Sequence, residues 1–258
     1  MPRVSNLAYA RKACSFLLSR QLLRRYGLRG TLEALFGDID ELGDQAPLER
    51  FEQVSQLLNA IPVGMTPVVR CSVFLCTLCS PQPQDYYQNV IPQMIEILSA
   101  KEIPPVQLRA IAFAISHMLS AEQHALHHAL LARMILPIFH QPFLLNVSTP
   151  TDSQDTIQKP TSALAMLKVV MTNTDPSPAL ISTLLTPIVP ALFLIYSQLE
   201  GMKLADPAIK ASVHGLLGTW GRVIGPQEGI AALWLLVEGE GGEWSVDVAG
   251  EINLIDAT

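Results

Sequence analysis

Charged residues are scarce in this chain: Asp, Glu, Lys and Arg make up 16% of its 258 residues, against about a quarter in a typical soluble domain. Aromatics are scarcer still, at 6%, which argues against stacking platforms for single-stranded nucleic acid. Only four cysteines are present, Cys14, Cys71, Cys76 and Cys79. That is too few for a disulfide framework in a chain of this length, so a reducing compartment is the simple reading. No acid precedes Glu33, whereas seven Lys and Arg do (Arg3, Arg11, Lys12, Arg20, Arg24, Arg25, Arg29). The remainder therefore holds 10 of the 17 basic residues against all 23 acidic ones. Phosphate contacts need clustered cations, so this acidic body disfavours direct nucleic-acid binding. The Arg-rich start has the composition of a mitochondrial presequence. However, Arg11 and Arg25 fall on the helical face of Leu7, Cys14 and Leu18, which spoils the amphipathicity. No secretory signal is visible, because Arg and Lys break the early apolar run.

Catalytic signatures are also missing. There is no G-x-S-x-G elbow. The glycine-rich EGEGGEW (238–244) lacks the lysine and hydroxyl of a phosphate loop, and its three glutamates would repel phosphate. Cys71, Cys76 and Cys79 reproduce C-x4-C-x2-C of a plant-type iron–sulfur motif, but no later cysteine supplies a fourth ligand. Their string VVRCSVFLCTLCS reads as a helix, so they are expected to be core cysteines. His124 and His128 share a helix face, with His117 two turns earlier and His127 adjacent. Spacing of this kind can chelate zinc, yet HExxH and a third carboxylate ligand are absent, and a polar helix face explains it as well. Asn146-Val147-Ser148 matches a glycosylation acceptor, which means little without secretion. The expectation is a chain with no enzymatic activity, no cofactor and no bound metal.

Apolar residues, by contrast, are abundant, at 49% of the chain with a mean hydropathy of +0.31. They are arranged in a cadence. Proline or a small polar residue stands at about Pro47, Thr66, Pro83, Pro104 and Ala121, each followed by an apolar run of helical length. Alternate openings lie about 36 to 38 residues apart, near the two-helix period of HEAT and armadillo repeats. One such pair cannot bury its own apolar face, so neighbours stack. The spacing predicts helices at about 5–26, 29–36, 47–60, 66–79, 84–99, 104–119, 121–140, 161–173, 178–200, 207–224 and 227–237. Pro187 and Pro190 must kink or split the longest. The fold class expected is all-α, an irregular, right-handed HEAT/armadillo-like α-solenoid with a short non-helical C-terminal tail. Its segments are N-terminal repeats over 1–146, a flexible linker or loop over 147–161 (VSTPTDSQDTIQKPT), C-terminal repeats over 162–237, and a Gly/acidic turn with an extended tail over 238–258. That tail alternates weakly and suits a strand pair or an extended segment. Five aromatics, Tyr86, Tyr87, Trp220, Trp234 and Trp244, are candidate interaction or structural positions.

Two features bear on what the chain meets. Pro176–Leu199 contains no charge and is long enough to span a bilayer, though its prolines and hydroxyl residues stand against spanning. The last clear helix, GIAALWLLV (229–237), is apolar nearly all round. Trp234, Leu235 and Leu236 cannot face one neighbour, since successive helical residues turn by about 100°. Either the tail folds back and covers them with Trp244, Val246, Val248 and Ile252, or further repeats do so. The second is favoured, and the isolated chain is then expected to self-associate.

Several strings together resemble one family: CSFLLSRQLLRRYGLRGTLEALFGD (14–38), QDYYQNVIPQMIEIL (84–98), LARMILPIFHQPFL (131–144), NTDPSPALISTLLTPIVPAL (173–192), TWGRVIG (219–225) and EGEGGEWSVD (238–247). The family is that of the eukaryotic RNA polymerase II assembly factors related to the transport and Golgi organisation proteins. The resemblance implies a cytoplasmic HEAT-type scaffold, shuttling to the nucleus, that helps RNA polymerase II assemble and be imported. Its implied partners are polymerase subunits and assembly or import factors, and it implies a link to protein secretion. The alternative it leaves open is a membrane-associated trafficking component of the Golgi or endoplasmic reticulum that uses 176–199. Members of the family are longer, so this sequence is expected to be a fragment or a shortened gene model.

Overall fold

The computed structural model describes residues 14, 17–18, 20–37, 48–60, 83–100, 102–120, 125–144, 159–175, 177–202, 206–239, 242–247 and 250–255. The helix expected at 66–79 with its three cysteines, the start of the first helix, and 147–158 lie outside these residues. Ten α-helices are described: α1 (Gly27–Phe36), α2 (Leu48–Asn59), α3 (Pro83–Ser99), α4 (Pro105–Ser120), α5 (Ala125–His140), α6 (Pro160–Asn173), α7 (Pro178–Leu185), α8 (Val189–Gly201), α9 (Pro207–Val223) and α10 (Pro226–Val237). Six of them open on proline. Proline suits that position because its missing N–H is one the helix leaves unpaired anyway, and its φ is already helical. Asp206 adds a side-chain cap before α9, accepting from the Ala208 N–H at 2.8 Å. Two strands close the chain, β1 (Glu243–Val246) and β2 (Ile252–Ile255).

The chain divides into two compact units, Met1–Met118 and Leu119–Thr258. In the first, a helical segment ends at the buried Leu22 and the chain turns through 23–26 into α1. Gly27 is required at that turn: a Cβ there would stand 1.7 Å from the Gln21 carbonyl oxygen. Gln93 of α3 is buried and fastens both sides of the turn. Its Nε2 donates to the Leu22 carbonyl at 2.9 Å, and its Oε1 accepts from the Leu28 N–H at 3.1 Å. Buried polar groups must be paired in this way or they cost free energy. Phe36, Phe51 and Phe113 then link α1, α2 and α4 through ring contacts of 5.8 and 6.3 Å.

In the second unit the segment expected to be one long helix is split. Pro187 lies within a 3-10 turn at Thr186–Ile188, and Pro190 is the second residue of the helix that follows, so α7 precedes the turn and α8 follows it. A proline inside a helix removes a hydrogen bond and clashes with the preceding turn, so the break follows from the sequence. Together these elements form the one described stretch, Pro178–Gly201, that is long and apolar enough to cross a membrane, and 56% of its most apolar 18-residue window is buried inside the fold. Leu184, Leu185, Ile188, Val189, Leu192 and Ile195 are all fully buried. α8 packs against α9, α10 and β1.

The tail is an antiparallel strand pair, with Trp244 opposite Leu254 and Val246 opposite Ile252. Gly250 makes its turn at φ +82°, and a Cβ there would also lie 2.5 Å from Ile209 Cδ1. The pair folds back, burying Trp244, Val246 and Ile252. It packs against α6 and α8. Trp244 meets Phe143 at 6.2 Å, and Lys159 Nζ reaches Glu251 at 2.9 Å.

Candidate interaction surface

α10 is packed with its small side and shows its large one. Its buried residues are Gly229 and Ala232. Gly229 lies close to α9, where a Cβ would be 3.3 Å from Ile224 and 3.8 Å from the Trp220 ring. That ring is fixed in turn by its Nε1 donating to Thr186 Oγ1 at 3.1 Å. Ser182 of α7 donates to Glu228, tying the start of α10 to the same body. Contact on this side leaves Ile230, Leu233, Trp234 and Val237 outward, at 66%, 37%, 56% and 73% exposure. Their i, i+3, i+4, i+7 spacing makes one continuous stripe along the helix. Glu238 borders it and accepts from the Trp234 indole N–H at 2.9 Å.

The sequence-predicted positions separate sharply. Tyr86, Tyr87, Trp220 and Trp244 are buried, so in this fold they serve packing. Tyr86 and Tyr87 meet edge to face at 5.2 Å. Burial, and then the adjacent Tyr87 phenol, push the Tyr86 pKa well above the ordinary tyrosine value. Trp234 alone of the five stands on the surface. Ile230, Leu233 and Val237, its partners in the stripe, were not singled out from the sequence. Their helical spacing was visible there, but an apolar stripe reads equally well as core. The tail does fold back, yet it covers α6 and α8 and leaves Trp234 open. Leu235 and Leu236 are half-buried, and Val248 lies outside the described residues.

Of the histidines singled out in the sequence, His124 lies outside the described residues. His117 stacks on Phe113 at 5.9 Å, and His128 Nε2 lies 2.6 Å from the Leu119 carbonyl oxygen. No group of three or more His, Cys, Asp or Glu side chains converges among the described residues. His140 is buried, with Nε2 3.0 Å from the Leu184 carbonyl oxygen. Burial lowers its pKa below the ordinary 6.5, against the opposing pull of that carbonyl.

Stacked helices and an exposed apolar edge define the class: an α-solenoid scaffold of the armadillo-like kind. The family model described as Transport and Golgi organization protein 6 homolog, ARM-like repeat, matches residues 72–219. That is more than half of the chain, and the chain belongs to this family. No curated protein and no solved structure matches it.

Proposed function

We propose that this chain is a non-enzymatic scaffold that helps RNA polymerase II subunits assemble and reach the nucleus, working in the cytoplasm and shuttling with its cargo. The observation that carries the scaffold reading is membership of an armadillo-like repeat family, joined to an apolar stripe on α10 that no described residue covers. Solenoids bind through extended surfaces of this sort. The polymerase reading is supported by the dispersed strings that resemble the assembly factors, among them NTDPSPALISTLLTPIVPAL (173–192) and TWGRVIG (219–225). Affinity purification of the tagged chain, with mass spectrometry of what co-purifies, tests it. Polymerase II subunits and their assembly chaperones should dominate. Golgi or coat proteins in their place would reverse the order of the two readings.

The second reading is a trafficking component held at a membrane. It draws on the family's description, which speaks of transport and Golgi organization, and on the apolar stretch Pro178–Gly201. Carbonate extraction separates the two. Release into the supernatant fits the scaffold, and retention in the membrane pellet fits the trafficking component.

A further inference from the structure

The stripe on α10 lies in a stretch of the chain that carries charge of one sign only. After Arg222 there is no Lys, Arg or His, and seven acids follow: Glu228, Glu238, Glu240, Glu243, Asp247, Glu251 and Asp256. Glu251 is matched by Lys159, and Glu228 is occupied by the Ser182 hydroxyl. Glu238 is different. It lies at the C-terminal end of the stripe against the Trp234 indole, exposed and next to the apolar surface. A helix terminus already carries partial negative charge at that end. The stripe therefore offers an apolar floor with a carboxylate, Glu238, at its C-terminal end.

From this we infer that α10 receives a helix of another protein whose own apolar stripe is bordered by Lys and Arg. The inference rests on the scaffold reading above and adds the chemistry of the partner. An apolar i, i+3, i+4, i+7 face is the usual receiver of an amphipathic helix. A basic border places cations near Glu238 and the α10 C-terminus, and it steers encounter through the field of the acidic segment. A second copy of α10 is a poor occupant, because it would bring two cation-free acidic segments together.

The test uses the whole purified chain and two synthetic helices of about 16 residues, each with the same leucine stripe. One is bordered by lysine, the other by glutamate. Trp220 and Trp244 are 6% and 3% exposed, whereas Trp234 is 56% exposed, so acrylamide quenching reports mainly on Trp234. The lysine helix should protect Trp234 and bind several-fold more tightly than the glutamate helix, from an exposed ion pair at Glu238 worth about two- to fivefold together with the partial negative charge of the α10 C-terminus. That margin should shrink in about 0.5 M salt, where charges are screened over a few ångströms. Glu238→Lys should cut the preference by several-fold, and the pair Ile230→Lys with Val237→Lys should abolish binding of the lysine helix. Unchanged circular dichroism confirms that the variants remain folded. Equal binding of both helices overturns the charge inference while leaving the apolar surface as a docking site. Binding of neither overturns the docking surface itself. Protection of Trp234 that grows with protein concentration alone, and is lost in the double variant, assigns the face to a second copy and overturns the inference.

Discussion

α8 and α10 are near equals in composition and opposites in environment. α8 (VPALFLIYSQLEG) has eight apolar residues in 13, and α10 (PQEGIAALWLLV) has eight in 12. α8 buries Val189, Leu192, Ile195 and Leu199 between α9, α10 and β1. α10 buries only Gly229 and Ala232 and leaves a tryptophan and three aliphatic side chains in water. The difference is one of neighbours. Burial of an apolar side chain is worth about 1.5–3 kcal/mol only when something packs on it, and the strand pair that might have covered α10 covers α8 instead. Apolar content on α8 is therefore a matter of stability, whereas on α10 it lies on the surface, where the docking proposal gives it a part in recognition.

That contrast can be broken most directly in α8. Leu192→Ala should cost about 2–5 kcal/mol in urea denaturation, because a fully buried leucine leaves a cavity. A loss below about 1 kcal/mol would show that α8 is not core. The next effect belongs to the strand pair that chooses α8 over α10. Gly250→Ala combines positive φ with a contact to Ile209 and should cost about 1–3 kcal/mol. It should also unmask Trp244 to acrylamide. Thr186→Val removes the acceptor of the Trp220 indole. It should cost about 1 kcal/mol and loosen the packing of α9 and α10, read as faster amide exchange at Gly229 and Ala232.

A gentler probe of the same core is pH. His140 in the folded protein has a pKa below 6.5, so between those two values the unfolded chain binds more protons than the folded one. The stability it contributes is complete above pH 6.5 and is lost as pH falls through the folded pKa. His140→Gln should flatten this acid-side slope in denaturation series run at different pH. The smallest effect should come from α10 itself. Ile230→Ser should change stability by less than about 0.5 kcal/mol while weakening capture of whatever the stripe binds. A large loss of stability would mean that the stripe is packed after all.

Much of the fold was legible because helix starts are written locally. Pro83, Pro160, Pro178, Pro207 and Pro226 stand at or within a residue of the expected openings, and the split at Pro187 and Pro190 followed from backbone chemistry alone. The strand pair was one of two forms open to the tail. Other features had no local signature. Nothing in QDYYQNVIPQMIEIL marks Gln93 as the clamp on a turn about 70 residues earlier. Likewise, nothing near LPIFH marks His140 as the partner of a carbonyl in α7.

By itself, then, the sequence determined where helices begin and break, that they carry broad apolar faces repeating at solenoid spacing, and that the C-terminal segment is acidic without a single cation. Each of these depends on residues within a turn or two of one another, or on composition. Only the tertiary structure decided which apolar faces are core. Trp220 and Trp244 are hidden while Trp234 is open, although all three sit in apolar or turn-flanked strings that look alike. The physical reason is that burial belongs to a pair of surfaces. Where Trp244 and Ile252 land fixes which helix is covered, and that long-range choice leaves α10 as the exposed face.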